Sequence, residues 1–133
     1  MKIELQSKLE KKYPEILSKA YISCGDGWYH IIDILCHTIQ GHLENINRNI
    51  KDDEEIFVCE AIQIKEKFGG LRFYVDSGDD HIWGAIEMAE NLSEITCEVC
   101  GSTEYVGKTD GWITTICHKC YEEIEDTRKW NAI

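Results

Sequence analysis

Four cysteines in two tight pairs are the residues of this chain best equipped for chemistry. Cys97 and Cys100 enclose Glu98 and Val99, and after sixteen intervening residues Cys117 and Cys120 enclose His118 and Lys119. Two residues between sulfurs let one backbone knuckle present both thiolates to a single ion. A gap of this length suits a hairpin that returns the second pair to the first. The chemistry expected is one structural Zn²⁺ site built from Cys97, Cys100, Cys117 and Cys120. A complete sulfur shell leaves no open position for water or substrate, so the motif announces a metal-held fold and not a reaction.

Specific elements must position these ligands. Gly101 permits the tight backbone of a knuckle, and Gly111 marks a hairpin turn, with Trp112, Ile113 and Ile116 leading to the second pair. Residues 121–129 are helical in character, which puts Cys117 and Cys120 at a helix N-terminus whose positive end favours thiolate. Knuckle, hairpin and ligand-bearing helix make a treble-clef-like zinc finger. Upstream, Ser77 to Asp80 offer turn and capping chemistry for a helix over 80–94 with Ile82, Ile86, Ala89 and Leu92 inward.

Before that helix the pattern is a β-hairpin, 56–67 and 71–76, around a Gly69-Gly70 turn. With Phe68 opposite Leu71, one face holds Ile62, Ile64, Phe68, Leu71, Phe73 and Val75, the core side. Glu66 falls on that face too, which requires a bulge or a place in water near the tip. Further upstream, Cys24-Gly25-Asp26-Gly27 reads as a turn, with Asp26 as cap for a long amphipathic helix. Its stripe is Trp28, Ile32, Leu35, Ile39, Leu43, Ile46 and Ile50. Residues 51–55 form a charged connector, and two short helical pieces flank Pro14.

The expected fold is α+β: the long amphipathic helix and further helices packed on a small antiparallel β-sheet, with the four-cysteine zinc finger at the C-terminus. Two units are expected, a core over 1–95 and a finger over 96–133 packed on it. The long stripe exceeds what one hairpin covers, so an additional strand, the N-terminal helices or a dimer contact must bury the rest.

The 133 residues, 43% apolar and 29% charged, are ordinary for a globular protein. No run approaches a membrane span, and the N-terminal residues do not read as a signal peptide. A reducing, cytoplasmic setting is expected, which favours zinc over disulfides. Cys24, Cys36 and Cys59 are scattered among apolar residues and read as buried small hydrophobes. The net charge is −11, which a zinc tetrathiolate centre takes to roughly −13, so non-specific nucleic-acid binding is disfavoured overall.

Against that background one locally basic surface stands out. Lys65, Lys67, Arg72 and Tyr74 alternate onto the outer hairpin face, where they suit an anion such as a nucleic-acid backbone, a nucleotide or an acidic protein surface. They equally suit the wet face of an antiparallel sheet, with Lys65 packed beside Tyr74. Trp28 and Tyr29 offer a weaker partner-binding candidate, although Trp28 also opens the apolar stripe. His30, Asp33 and His37 share a helical face, where Asp33 could orient His37 as a general base. That face is equally the solvent side of an amphipathic helix.

Several of these pieces together resemble a group of small, functionally uncharacterised proteins of tailed phages and prophages. The matching residues are Lys12-Tyr13-Pro14, Gly25-Asp26-Gly27-Trp28-Tyr29, Ile32-Asp33 with Ile39-Gln40, and Lys65-Glu66-Lys67-Phe68-Gly69-Gly70-Leu71-Arg72-Phe73-Tyr74. Cys97-Glu98-Val99-Cys100-Gly101 and Gly111-Trp112 leading to Cys117 and Cys120 complete the set. The resemblance implies a phage- or prophage-encoded protein acting in a bacterial host cytoplasm. It brings no activity with it. The function expected is a non-enzymatic, zinc-stabilised binding protein that modulates a host protein. The alternative is nucleic-acid or nucleotide binding and sequestration through the basic-aromatic hairpin face.

Overall fold

A computed structural model describes residues 1–133. The chain opens with α1 (Ile3–Lys12) and α2 (Pro14–Leu17), Pro14 occupying the first helical position, where its missing N–H costs nothing. Strand β1 (Ile22–Ser23) leads through a 3₁₀ turn (Asp26–Trp28) into α3 (Tyr29–Asn47). The hairpin β2 (Ala61–Lys67) and β3 (Gly70–Val75) precedes α4 (Asp80–Ser93). Strands β4 (Val106–Thr109) and β5 (Thr115–Cys117), helix α5 (His118–Glu123) and strand β6 (Trp130–Ala132) close the chain.

The architecture is α+β, with two small three-stranded sheets, β1-β2-β3 and β5-β4-β6. The first sheet is mixed and not purely antiparallel, because β1 runs parallel to β2, pairing Ile22 with Ile64. Helices α3 and α4 bury their apolar stripes with this sheet in a 22-residue core that includes Trp28, Ile32, Leu35, Ile39, Ile64, Leu71, Phe73, Ile82 and Ile86. Strand β1 and the N-terminal helices bury what the hairpin cannot reach, through Leu9, Ile16, Leu17 and Ile22. Helix α3 ends at Asn47, so Ile50 lies beyond it and Ile46 is exposed at its last turn.

The hairpin differs from its expected register for identifiable reasons. Phe68 and Gly69 form the two-residue turn, with φ values of 53° and 79°, and Lys67 pairs with Gly70. Positive φ at both central positions is the type I′ geometry, whose twist matches that of the flanking strands. The pairing therefore moves by two residues, which preserves the faces but sets Lys65 opposite Arg72 instead of Tyr74. A bulge between Ala61 and Gln63 turns Ile62 out to solvent and gives its core place to Ala61. Glu66 is half-buried near the tip, where its carboxylate accepts the Gly69 N–H at 2.9 Å.

Two helix readings also change. In α4 the inward positions are Ile82, Ile86, Ala89 and Ser93, and Leu92 points outward. Ser93 occupies the core because its hydroxyl accepts the outward N–H of Leu71 at 2.8 Å, which an apolar residue would leave unpaired. Asp26 does not cap α3: its carboxylate accepts the Lys2 N–H at 2.7 Å. Cys24, Cys36 and Cys59 are buried, and burial pushes the Cys59 thiol up to about 11 and Cys24 up to about 12.

Trp28 is fully buried, and its indole N–H donates to the Thr96 carbonyl at 2.9 Å, tying the start of α3 to the residue before the first cysteine. Replacing Trp28 with Phe retains much of the apolar volume but strands that carbonyl. Urea denaturation should show a loss of about 1–3 kcal/mol; a loss under about 0.5 kcal/mol would mean the hydrogen bond carries no weight.

Candidate metal centre and its seat on the core

Two pieces of backbone bring the four cysteines together. The first is the knuckle after α4, in which the Gly101 N–H donates to the Cys97 carbonyl at 2.9 Å while Gly101 itself adopts a φ of 80°. The second is the β5–α5 junction. Cys117 ends the strand and stands at the N-cap of α5, its sulfur facing the Cys120 N–H at 3.5 Å. Strand β4 pairs with β5, setting Val106 opposite Cys117 and closing the hairpin between the pairs. The order knuckle, hairpin, helix follows the expected treble-clef-like plan.

All four sulfurs lie within 4.8 Å of one another, and Cys100 Sγ is 3.7 Å from Cys117 Sγ. A tetrahedron with metal–sulfur bonds of about 2.3 Å has edges of about 3.8 Å, so that separation is the one a tetrathiolate ion requires. All four cysteines are free of disulfides, and only Cys100 is exposed. Backbone N–H groups face the sulfurs, with Ser102 N–H 3.4 Å from Cys100 Sγ. Burial raises the Cys97 and Cys120 thiols. At Cys117 burial is outweighed by the Cys120 N–H and the neighbouring thiols, which hold its thiol below the ordinary value. The donor set, geometry and burial fit one metal ion.

Downstream, the chain departs from the expected helix over 121–129. Helix α5 stops at Glu123, and Asp126 is held down to about 2 by its bonds to the Arg128 guanidinium and backbone N–H. Arg128 Nη1 also reaches the Trp112 carbonyl at 2.5 Å and Thr114 Oγ1 at 3.1 Å, stapling the β4–β5 loop. The last residues then form β6 on the outer edge of β4.

The cage is seated on the core through glycines. Glu98, between the first two ligands, accepts the Gly27 N–H on its carbonyl at 2.8 Å and the Gly25 N–H on its carboxylate at 2.9 Å. Burial pushes the Glu98 carboxyl above its ordinary range, partly offset by that Gly25 N–H. A Cβ at Gly27 would fall inside the backbone of Cys97 and Glu98, and one at Gly101 would lie 2.9 Å from the Gly27 carbonyl oxygen. The hairpin tip makes a second seat: Thr115 Oγ1 donates to the Gly69 carbonyl at 2.5 Å, and Lys108 Nζ reaches Thr115 Oγ1 at 2.7 Å and Glu94 Oε2 at 2.6 Å.

The other candidate residues fall apart as a group. Trp28 is core, and Tyr29 is half-buried against it. Asp33 is bound by Tyr13 Oη at 2.6 Å and Lys12 Nζ at 2.8 Å, while His30 and His37 are exposed beside it. On the hairpin, Lys65 and Arg72 are directly opposed, and Lys67 Nζ lies 5.5 Å over the Phe68 ring. Arg72 and Tyr74 line a groove of about 550 Å³ whose other wall carries Glu87, Glu90 and Glu94, so Arg72 faces carboxylates. Glu90 titrates above its ordinary value because burial outweighs the pull of Arg72.

Sequence reasoning did not find the roles of Glu98, Gly25 and Gly27. The signal available was the Gly-x-Gly-Trp run itself, since two glycines ahead of a core tryptophan mark a close backbone approach. The bond between His42 Nε2 and Asp79 Oδ2 at 2.6 Å, with His81 stacked on His42 at 4.1 Å, joins residues 37 apart and left no local trace.

No helix is long and apolar enough to cross a membrane. Compared with family models, curated proteins and solved structures, the chain matches none of them.

Replacing Gly27 with Ala should destabilise the protein by at least about 2 kcal/mol, because the obstruction is backbone on both sides. Metal titration with a competing chelator should show weaker retention in the same variant. Unchanged metal retention would separate the turn from the cage.

Proposed function

We propose that the protein is a non-enzymatic, zinc-stapled binding protein whose target is another protein. Zinc is the ion assigned to the cage because four thiolates in tetrahedral spacing suit it best. Cys97, Cys100, Cys117 and Cys120 then complete its coordination and leave no site for chemistry. The bonds from Tyr13 and Lys12 to Asp33 Oδ1 count against Asp33 serving to orient a base on the helical polar face.

The observation that carries the binding reading is the pair of aromatic residues at two adjoining hairpin tips. Phe68 is 69% exposed although it sits at positive φ, a conformation unfavourable for a bulky side chain. Trp112 is 76% exposed. The two tips touch, because a Cβ at Gly69 would meet Ile113 and Thr115. Exposed aromatics on rigid, well-anchored turns are the residues that dominate protein interfaces. Resemblance to small tailed-phage proteins supports a phage or prophage origin and a host protein as target.

A second reading, anion or nucleic-acid binding, is favoured by Lys65 lying opposite Arg72, since opposed cations on a sheet invite a bridging anion. The acidic wall facing Arg72 counts against it.

Capture from a bacterial lysate, with proteins and small molecules identified by mass spectrometry, distinguishes the two. Phe68→Asn suits the turn better than Phe, so it should keep or raise stability. Together with Trp112→Ser it should weaken target retention at least about tenfold. Retention that survives both changes, yet falls steeply with salt and with Lys65→Ala or Arg72→Ala, would reverse the order of the readings.

A further inference from the structure

We propose that Cys100 is a modification site, the sulfur through which hydrogen peroxide oxidises the four-cysteine cage and frees its ion. That role presupposes the reading of Cys97, Cys100, Cys117 and Cys120 as ligands of one metal.

Six of the seven cysteines are buried, and Cys100 is exposed. It borders a cleft of about 400 Å³ between the knuckle and the start of α3, lined also by Asp26, Tyr29, His30, Thr96 and Thr103. A small oxidant fits that space and meets no other cysteine in it.

Exposure decides the outcome because of what ligation does to sulfur. A cysteine holds an ion as its thiolate, which is also the form that attacks electrophiles. Four thiolates around one divalent ion keep a net charge of about −2, so every ligating sulfur stays electron-rich. Which of them is oxidised first then follows access.

Two steps complete the reaction. Cys100 Sγ attacks one peroxide oxygen: an S–O bond forms, the O–O bond breaks and hydroxide departs, leaving a sulfenic acid. Cys117 Sγ, 3.7 Å from Cys100 Sγ, then attacks the oxidised sulfur. An S–S bond forms, the S–O bond breaks and a second hydroxide departs. The sulfur pair gives up two electrons, and both peroxide oxygens end as water once protonated. Bringing the two sulfurs to bonding distance takes a closure of under about 2 Å. The link joins the knuckle to the β5–α5 junction, and only Cys97 and Cys120 remain as ligands, too few to retain the ion. The reaction also falls at the seat of the cage, since the next residue, Gly101, lies against the Gly27 carbonyl.

Metal-loaded, reduced, full-length protein treated with limiting hydrogen peroxide tests this, with freed ion read by a chromogenic chelator and cysteines mapped by mass spectrometry. With dimedone present to trap sulfenic acid, the mark should fall on Cys100 at least about tenfold ahead of every other cysteine. Without dimedone, a Cys100–Cys117 disulfide should accumulate in step with ion release, and dithiothreitol with added zinc should reverse both. Cys100→His keeps a four-ligand set that zinc accepts, and should slow release at least about tenfold.

A first mark on any other cysteine overturns the proposal, as does a Cys100→His protein that loses its ion at the wild-type rate. A link from Cys100 to Cys97 or Cys120 overturns the part given to Cys117. If Cys100→His takes up no metal, the order of marking in the wild-type protein decides alone. Material without metal before peroxide is added defeats the reading of the cage itself, whereas a wrong order of marking on loaded protein defeats only the role of Cys100.

Discussion

Backbone against backbone, with no room for a β-carbon, is the constraint that organises this molecule. Gly25 and Gly27 donate their N–H groups to Glu98, and Gly27 lies against Cys97, Glu98 and Gly101. The turn that starts the longest helix is thus built onto the loop that carries half of the sulfur cage. Trp28, immediately after that turn, extends the join into the core through the Thr96 carbonyl. The hairpin tip adds a third join through Gly69 and Thr115. The cage has a separate small cluster of its own, Cys97, Val106, Ile116, Cys117 and Cys120, which is too few side chains to stand by packing alone. The seats on the core supply part of what its area cannot, and an ion held by the four thiolates would supply the rest.

What the sequence made readable were features with local causes. The four ligands, the α+β class, the α3 stripe from Trp28 to Leu43 and the capping segment before α4 all follow from spacing within one element. What it hid depends on partners distant in the chain. Ser93 displaces Leu92 from the core because a strand N–H, 22 residues away, needs an acceptor. Strand β1 was invisible because two residues make no period, and its parallel partner lies 42 residues on, Ile22 to Ile64. The Phe68-Gly69 turn was displaced by the apparent claim of Gly69-Gly70, since nothing local reveals that a phenylalanine would accept positive φ. Gly70 instead opens β3, with the ends of the Glu94 and Arg72 side chains lying over its Cα.

Electrostatics explains why the exposed apolar residues stand out on this surface. Carboxylates dominate the chain, and the candidate basic row on the hairpin is divided: Lys67 lies over Phe68, while Arg72 faces the acidic wall of α4. Long-range attraction for phosphate is weak in such a molecule. Charge is sparse and large side chains are exposed at the two hairpin tips, Phe68 and Trp112. Both are held by rigid elements, so neither needs ordering before contact.

Joined at Gly25, Gly27 and Gly69, the cage and the core should open as one cooperative unit. Native-state hydrogen exchange, followed amide by amide while a chelator strips the metal from reduced protein, tests it most directly. Protection in α3 and in β2, at Ile39 and Ile64 for example, should collapse in the same transition as protection around Cys97 and Cys117. A core that keeps its full protection while the cysteine segment opens would contradict it.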